Sequence, residues 1–379
     1  MPDVLILGDT FRSPELRHEI PAPAADPLLY VEHGGERHVV VTAFEIPIIE
    51  EVGDYVAHPF EEFGADELRR SSSSHLAMLE EIAVRAVRKL GVERAVVPWA
   101  FPVSAADRLR AEGVELVVDQ GFFDDRRRVK TGAELAGIRR AQLAAEAGMA
   151  AARDLLAASE TDDGGVLQLD GEPLTSERVK AAISAVFLEH DVVSDGFVVS
   201  HGAQAAIGHH LGSGRLRANE TIVVDLWPRD RRSACSADMT RTFVVGEPPA
   251  EAAEWHRLCL EALERVVAGA RAGVTGSALN DVACEIFEGA GHLTQRTKVF
   301  GEALDHGFHH ALGHGVGLEV HEQPLLNLLG RSPLVDGDVI AVEPGLYRPG
   351  FGGVRIEDLL LVAADGCENL TRFPYDLVV

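Results

Sequence analysis

The chain has 379 residues, 46% of them hydrophobic, which is enough for more than one buried core and gives a length prior of two or three domains. Sixty acidic residues against 35 basic ones leave a formal charge of −25. That balance argues against a nucleic-acid partner, because phosphate binding needs clustered Lys and Arg; a strongly solvated surface accounts for it most simply.

The opening residues MPDVLILGDT carry no basic segment ahead of a long apolar stretch, and no later run reaches the ~18 apolar residues of a membrane span. A cytoplasmic chain without membrane association is the expectation. The first third alternates strands and helices. Apolar or β-branched runs at 4–7, 28–31 and 38–42 predict strands. Residues 71–90 predict an amphipathic helix, with Leu76, Leu79, Ala83, Val87 and Leu90 at helical spacing and Gly91 as its stop. Two more strands follow at 94–98 and 115–119. Residues 1–128 therefore read as an α/β domain with a mixed or parallel sheet and no Gly-rich phosphate loop.

A charged boundary at 124–129 precedes a long Ala-rich helix opened by VKTGAELAGIRRAQ. The stretch TDDGGVLQLDGEPLT breaks that helix, and a second is expected over roughly 176–190. Beyond Asp195 the pattern turns to strands at 196–200, 221–226, 240–245, 339–342 and 354–362, with helices at 252–272 and 277–290 between them. Helices packed on a largely antiparallel sheet make residues 129–379 an α+β domain. The four cysteines (Cys235, Cys259, Cys284 and Cys367) show no CxxC spacing and are expected to be reduced thiols.

Five segments of that second domain hold the chemistry. Asp225 ends TIVVD, Asp238 opens DMTRTFVVG, His314 lies in HHALGHGVGLEVHEQP, Glu343 ends VIAVE ahead of Pro344, and Glu357 interrupts GGVRIEDLLLV. Taken singly, an Asp at a strand end is more often a turn former, and a Glu before Pro-Gly a loop residue. Taken together they differ from that. Carboxylates set against apolar strands must be paired, protonated or metal-bound. Four carboxylates and one imidazole suit two divalent ions, whereas a structural zinc prefers Cys and His. His310, His314 and His321 fall close together, and the interleaved Gly313, Gly315 and Gly317 predict a strand or loop in close approach to something rather than a helix. His209 lies upstream in HGAQAAIGHHLGSG.

HALGHGVGLEVHEQP, then AVEPGLY, then GVRIED resembles the signature of the Xaa-Pro aminopeptidase and Xaa-Pro dipeptidase (prolidase) group of metallopeptidases. ADMTRTFVVG and VKTGAELAGIRRAQ resemble two further segments of that family, in the same order. The resemblance runs from about Val129 to the C-terminus, and more loosely through a smaller creatinase-like N-terminal domain. It implies an α+β "pita-bread" catalytic domain over 129–379 preceded by a smaller α/β domain over 1–128. It implies two divalent metal ions, Mn²⁺ first, with Co²⁺, Fe²⁺ or Zn²⁺ as alternatives. Asp225, Asp238, His314, Glu343 and Glu357 match the family's ligands, with Asp238 and Glu357 bridging. His209, His310 and His321 match its active-site histidines, and Glu343 also its proton acceptor. The implied reaction is attack of a metal-bridging hydroxide on the bond before proline in a short peptide, by a protein expected to be a homodimer. Arg355 is expected to orient a bridging carboxylate, and Tyr347 and Phe351 to border the substrate.

The pattern departs at one place. The family has DxG where this chain reads DLWPRDRRSACSAD, so Trp227 replaces the Gly and the two aspartates stand thirteen residues apart rather than about eleven. If Trp227 points into the cleft it narrows it and favours short substrates. The altered hairpin keeps a second reading open, a metallohydrolase of the same fold acting on a small non-peptide amide or cyclic amidine. A non-catalytic binding protein on this fold is the third, and the intact ligand set speaks against it.

Overall fold

The computed structural model describes residues 2–379, which divide into two units, one ending at Arg127 and the other Arg128–Val379. In the first unit the apolar runs pair into one six-stranded sheet. Its order is Val56–Pro59, Glu36–Val41, Leu28–His33, Asp3–Gly8, Arg94–Val97, Glu115–Val118. The two hairpin partners of Leu28–His33 are antiparallel and the remaining pairs parallel, so the sheet is mixed. Alternation along Asp3–Gly8 sends Leu5 into one apolar cluster and Val4 and Ile6 into another, on opposite faces.

The helix expected over 71–90 begins later, at His75, because the Ser74 hydroxyl accepts from the Ala77 amide at 3.1 Å and caps it there. A separate helix, Ala65–Ser71, precedes it. This cap leaves Leu76 in the first turn and 60% exposed, while Met78, Leu79, Ile82, Ala83, Ala86 and Val87 face the sheet.

In the second unit Thr131 and Glu134 form a capping box that opens the helix Gly132–Ala157. It packs with Ser176–Glu189 over the antiparallel strands Val198–His201, Ile222–Leu226 and Met239–Phe243. The helices Ala250–Gly269 and Gly276–Gly289 pack over a five-stranded antiparallel sheet. Its order is Glu322–Leu326, Gly313–Gly315, Val339–Val342, Asp358–Ala363, Gly366–Asn369. The single strand expected over 354–362 is two. Gly352–Arg355 pairs with Gly345–Arg348, and after Ile356 and Glu357 the chain joins Val339–Val342 as Asp358–Ala363. Arg128 grips Asp338 with two hydrogen bonds, 3.0 and 2.7 Å, in a buried pair. No helix among the described residues is long and apolar enough to cross a membrane, and all four cysteines are free thiols.

Candidate active site

The glycines around His314 explain why it sits on a strand. A Cβ on Gly313 would lie 1.9 Å from the Ala341 carbonyl oxygen, and one on Gly315 would lie 2.1 Å from that of Gln323. Only glycine lets Gly313–Gly315 pass between its two neighbours, and that passage fixes His314 in the middle of the sheet. Asp225, in register with Thr240, comes from the facing three-stranded sheet, and Asp238 immediately precedes Met239–Phe243. Glu343 follows Val339–Val342 directly, and Glu357 stands at the crossing between the two strands that the break at 356–357 creates. The elements thus bring all five side chains to one place.

Asp238, His314 and Glu357 each offer a ligand atom within 4.8 Å of the others, and all three are buried. Glu343 Oε1 lies 3.7 Å from His314 Nε2, and Asp238 Oδ2 lies 3.8 Å from it. Asp225 stands outside that trio: its Oδ2 accepts from Arg355, while its Oδ1 is buried without a partner, as is Asp238 Oδ1. Burial and then repulsion from Glu357, Asp225 and Glu343 push the Asp238 carboxyl well above the usual carboxylate range. Burial and then Glu343 and Asp225 do the same to Glu357. Glu343 is pushed up to about 7, first by burial. Four carboxylates thus face one guanidinium, with two buried acceptor oxygens unpaired. A divalent cation supplies both the missing charge and the missing partners, so the donor set fits a metal.

His314 is presented as a ligand. Its Nδ1 lies 3.1 Å from the Gly315 carbonyl, which can only accept, so Nδ1 carries the proton and Nε2 turns a lone pair to the carboxylates. Burial lowers its pKa to about 4, which keeps the ring neutral. His310 is different, because both its nitrogens are used within the protein. Nδ1 donates to the Ala311 carbonyl at 2.7 Å, and Nε2 accepts from the Tyr347 hydroxyl at 3.0 Å. That hydroxyl accepts from Arg355 Nη1 at 3.1 Å, so the donors run in one direction from Arg355 through Tyr347 to His310. His310, lowered to about 3 by burial and then by Arg355, offers a neutral ring face. The His321 ring stands nearly perpendicular to His314, 4.3 Å between centroids, and is lowered by burial and then by His209. His209 lies on an exposed loop, close enough for its charge to act on both His310 and His321.

Tyr347 is 1% exposed, so it orients Arg355 and His310 rather than forming an open wall. Phe351 packs on Trp255, 5.4 Å between centroids, as part of the helical core. Trp227 packs on the cluster containing Phe187, Phe197 and Leu226, and its ring lies 3.8 Å from where a Cβ on Gly196 would stand. The long hairpin after it is pinned by Asp230. That carboxylate takes two hydrogen bonds from Arg140, at 3.0 and 2.8 Å, and two from Ser233, at 2.8 and 2.7 Å.

One residue absent from the sequence reading is Thr240, whose hydroxyl donates to Glu357 Oε2 at 2.7 Å and accepts from Arg355 Nε at 3.1 Å. The signal was in DMTRTF: alternation puts Asp238, Thr240 and Thr242 on one face of the strand and Met239 and Phe243 on the core side. His309 is another, its ring 4.7 Å from that of Tyr347.

The sequence profile of metallopeptidase family M24 matches residues 136–364. A Xaa-Pro dipeptidase of Pyrococcus horikoshii is 29% identical over 300 residues, 78% of this chain and 76% of that one. A Xaa-Pro dipeptidase of Pyrococcus furiosus is 36% identical over 182 residues, and there the match spans 48% of each chain. Among solved structures, an X-Pro aminopeptidase from Thermotoga maritima superposes with a TM-score of 0.78 at 23% identity, covering 100% of this chain and 98% of that one. The prolidase from Pyrococcus horikoshii superposes with a TM-score of 0.77 at 25% identity, covering 100% and 95%. These likenesses show the two-domain fold with a pita-bread second domain.

Proposed function

The chain belongs to metallopeptidase family M24 and is a metal-dependent peptidase, and from that premise we propose that it releases the residue ahead of proline from Xaa-Pro dipeptides or short Xaa-Pro peptides. One observation carries the reading: Asp225, Asp238, Glu343 and Glu357 converge with His314 around two buried, unpaired carboxylate oxygens. Those five residues would hold two divalent ions, with the carboxylates of Asp238 and Glu357 supplying much of the charge that balances them. Oxygen donors with a single imidazole favour Mn²⁺. When bound there, such ions would supply Lewis acidity toward the scissile carbonyl and would lower the pKa of the attacking water.

This chain's own groups do the rest. Glu343 accepts the proton of the attacking water and passes it to the leaving nitrogen. His321 donates an N–H to the carbonyl oxygen as negative charge develops there. Arg355, held by Thr240 and Tyr347, fixes Asp225. His209 borders the substrate from its loop. A bond to proline is a tertiary amide with no N–H, followed by a rigid apolar ring. The neutral face of His310, both of whose nitrogens are spoken for, suits that ring and asks for no hydrogen bond from it.

The test compares kcat/KM for Ala-Pro and Ala-Ala on Mn²⁺-loaded protein. A preference for proline of about tenfold or more is expected, the scale a shaped apolar wall gives. Equal rates, or no peptide cleavage, would overturn the reading in favour of a small-amide substrate.

A further inference from the structure

In the first unit two histidines meet at the edge of the six-stranded sheet. Alternation along Glu36–Val41 puts His38 on the face that Val40 takes, while Val39 and Val41 take the other. The edge strand Val56–Pro59 runs parallel to it with His58 in register with Val40. The two imidazoles thus lie side by side, 5.4 Å between centroids and inclined by 28°, and His38 Nδ1 stands 3.2 Å from His58 Nε2. Their side chains are only 8% and 15% exposed. Phe63 packs edge-on against the His58 ring at 5.9 Å and fixes its orientation.

The outer nitrogens show what the inner ones offer. His58 Nδ1 lies 3.2 Å from Glu62 Oε2, which can only accept, so Nδ1 carries the proton and Nε2 turns a lone pair to His38. Lys89 holds Glu62 in place at 3.1 Å. On the far side of His38, Nε2 faces Glu36 Oε2 at 3.7 Å. A proton on that nitrogen leaves His38 Nδ1 with a lone pair as well. Two lone pairs that converge across 3.2 Å need a positive centre, which is a proton or a cation. Two nitrogen ligands on one tetrahedral ion, at ~2.0–2.1 Å each, stand about 3.3 Å apart. A carboxylate on the outer N–H is also the usual support of a metal-bound imidazole. Burial and then His58 lower the His38 pKa, which favours the neutral, ligating ring.

We propose that His38 and His58 bind one divalent cation of the Zn²⁺ type through their facing nitrogens, and so clip the edge strand Val56–Pro59 to its neighbour. Water fills the remaining positions on the ion. The site shares no residue with the carboxylate cluster and differs from it in chemistry. A pair of imidazoles suits Zn²⁺, Cu²⁺ or Ni²⁺, whereas the oxygen-rich cluster suits Mn²⁺. An ion held by two strands of the folded sheet stabilises the fold by mass action, because the unfolded chain does not hold the pair together.

The experiment counts Zn²⁺ bound per chain, by dialysis at fixed free Zn²⁺, in full-length Asp238→Asn and in the same chain carrying His58→Gln. The comparison isolates the pair, because any ion left in the carboxylate cluster is common to both chains. One more Zn²⁺ is expected with His58 than without it. Zn²⁺ should raise the unfolding temperature of Asp238→Asn, and His58→Gln should remove that rise. Glu62→Gln, which keeps both imidazoles, should weaken Zn²⁺ binding by about tenfold. In the natural chain His58→Gln should leave Mn²⁺-dependent turnover of Ala-Pro unchanged. Equal Zn²⁺ counts with and without His58 would reduce the pair to a hydrogen bond and overturn the site. A second measurement needs no histidine variant: Cu²⁺ added to Asp238→Asn should give an electron paramagnetic resonance spectrum with coupling to two nitrogens, and a spectrum without it also overturns the site.

Discussion

Replacing Asp238 by Asn, or Glu357 by Gln, is expected to abolish both metal binding and turnover while leaving the protein folded. Each amide keeps the shape of the carboxylate and removes the charge on which two cations would depend. In the metal-free protein both carboxyls are pushed well up, first by burial and then by their acidic neighbours. A neutral amide relieves that repulsion, so the metal-free variants should unfold at or above the temperature of the metal-free parent. Metal content per chain, turnover of Ala-Pro and thermal unfolding together separate a lost ligand from a lost fold. A variant with two bound ions and normal turnover would show that the residue does not bridge.

His321→Ala should lower kcat by about a hundredfold or more with metal content near normal, the scale for removing one donor to a developing oxyanion. Burial and then the charge of His209 lower the His321 pKa, so near pH 7 the ring is neutral and has one N–H to give. Its perpendicular placement against His314 keeps it beside the carboxylate cluster without joining the trio of ligand atoms. KM should change far less than kcat, because the interaction strengthens only as the carbonyl oxygen gains charge. Loss of metal along with the ring would make His321 a ligand instead.

Strand positions around the site were legible because local pattern and tertiary demand agree there. Asp225 and Glu343 cap apolar runs that pair much as alternation predicts. The glycines flanking His314 were legible as close approach, though what they approach, the Ala341 and Gln323 carbonyls, belongs to other strands. The break at 356–357 was not visible. Glu357 stands out as an interruption of GGVRIEDLLLV, but nothing in that run marks a change of strand, and the switch of pairing partner that turns Glu357 inward is a long-range choice. The start of the helix at His75 was blurred by a run of serines, any of which can cap. Trp227 stands two residues after Asp225, and sequence cannot say which side a residue takes once the strand ends; the structure places it on the apolar cluster with Phe197. The Arg355–Tyr347–His310 relay depends on three separate segments, so the three residues were readable as candidates beside the motif but the bonds between them were not.

The most direct test of the account is turnover of Ala-Pro after exhaustive chelation, followed by titration with Mn²⁺ and a count of ions bound. Metal-free protein should be inactive, and activity should return to a plateau at two ions per chain. Full turnover in rigorously metal-free protein would contradict it.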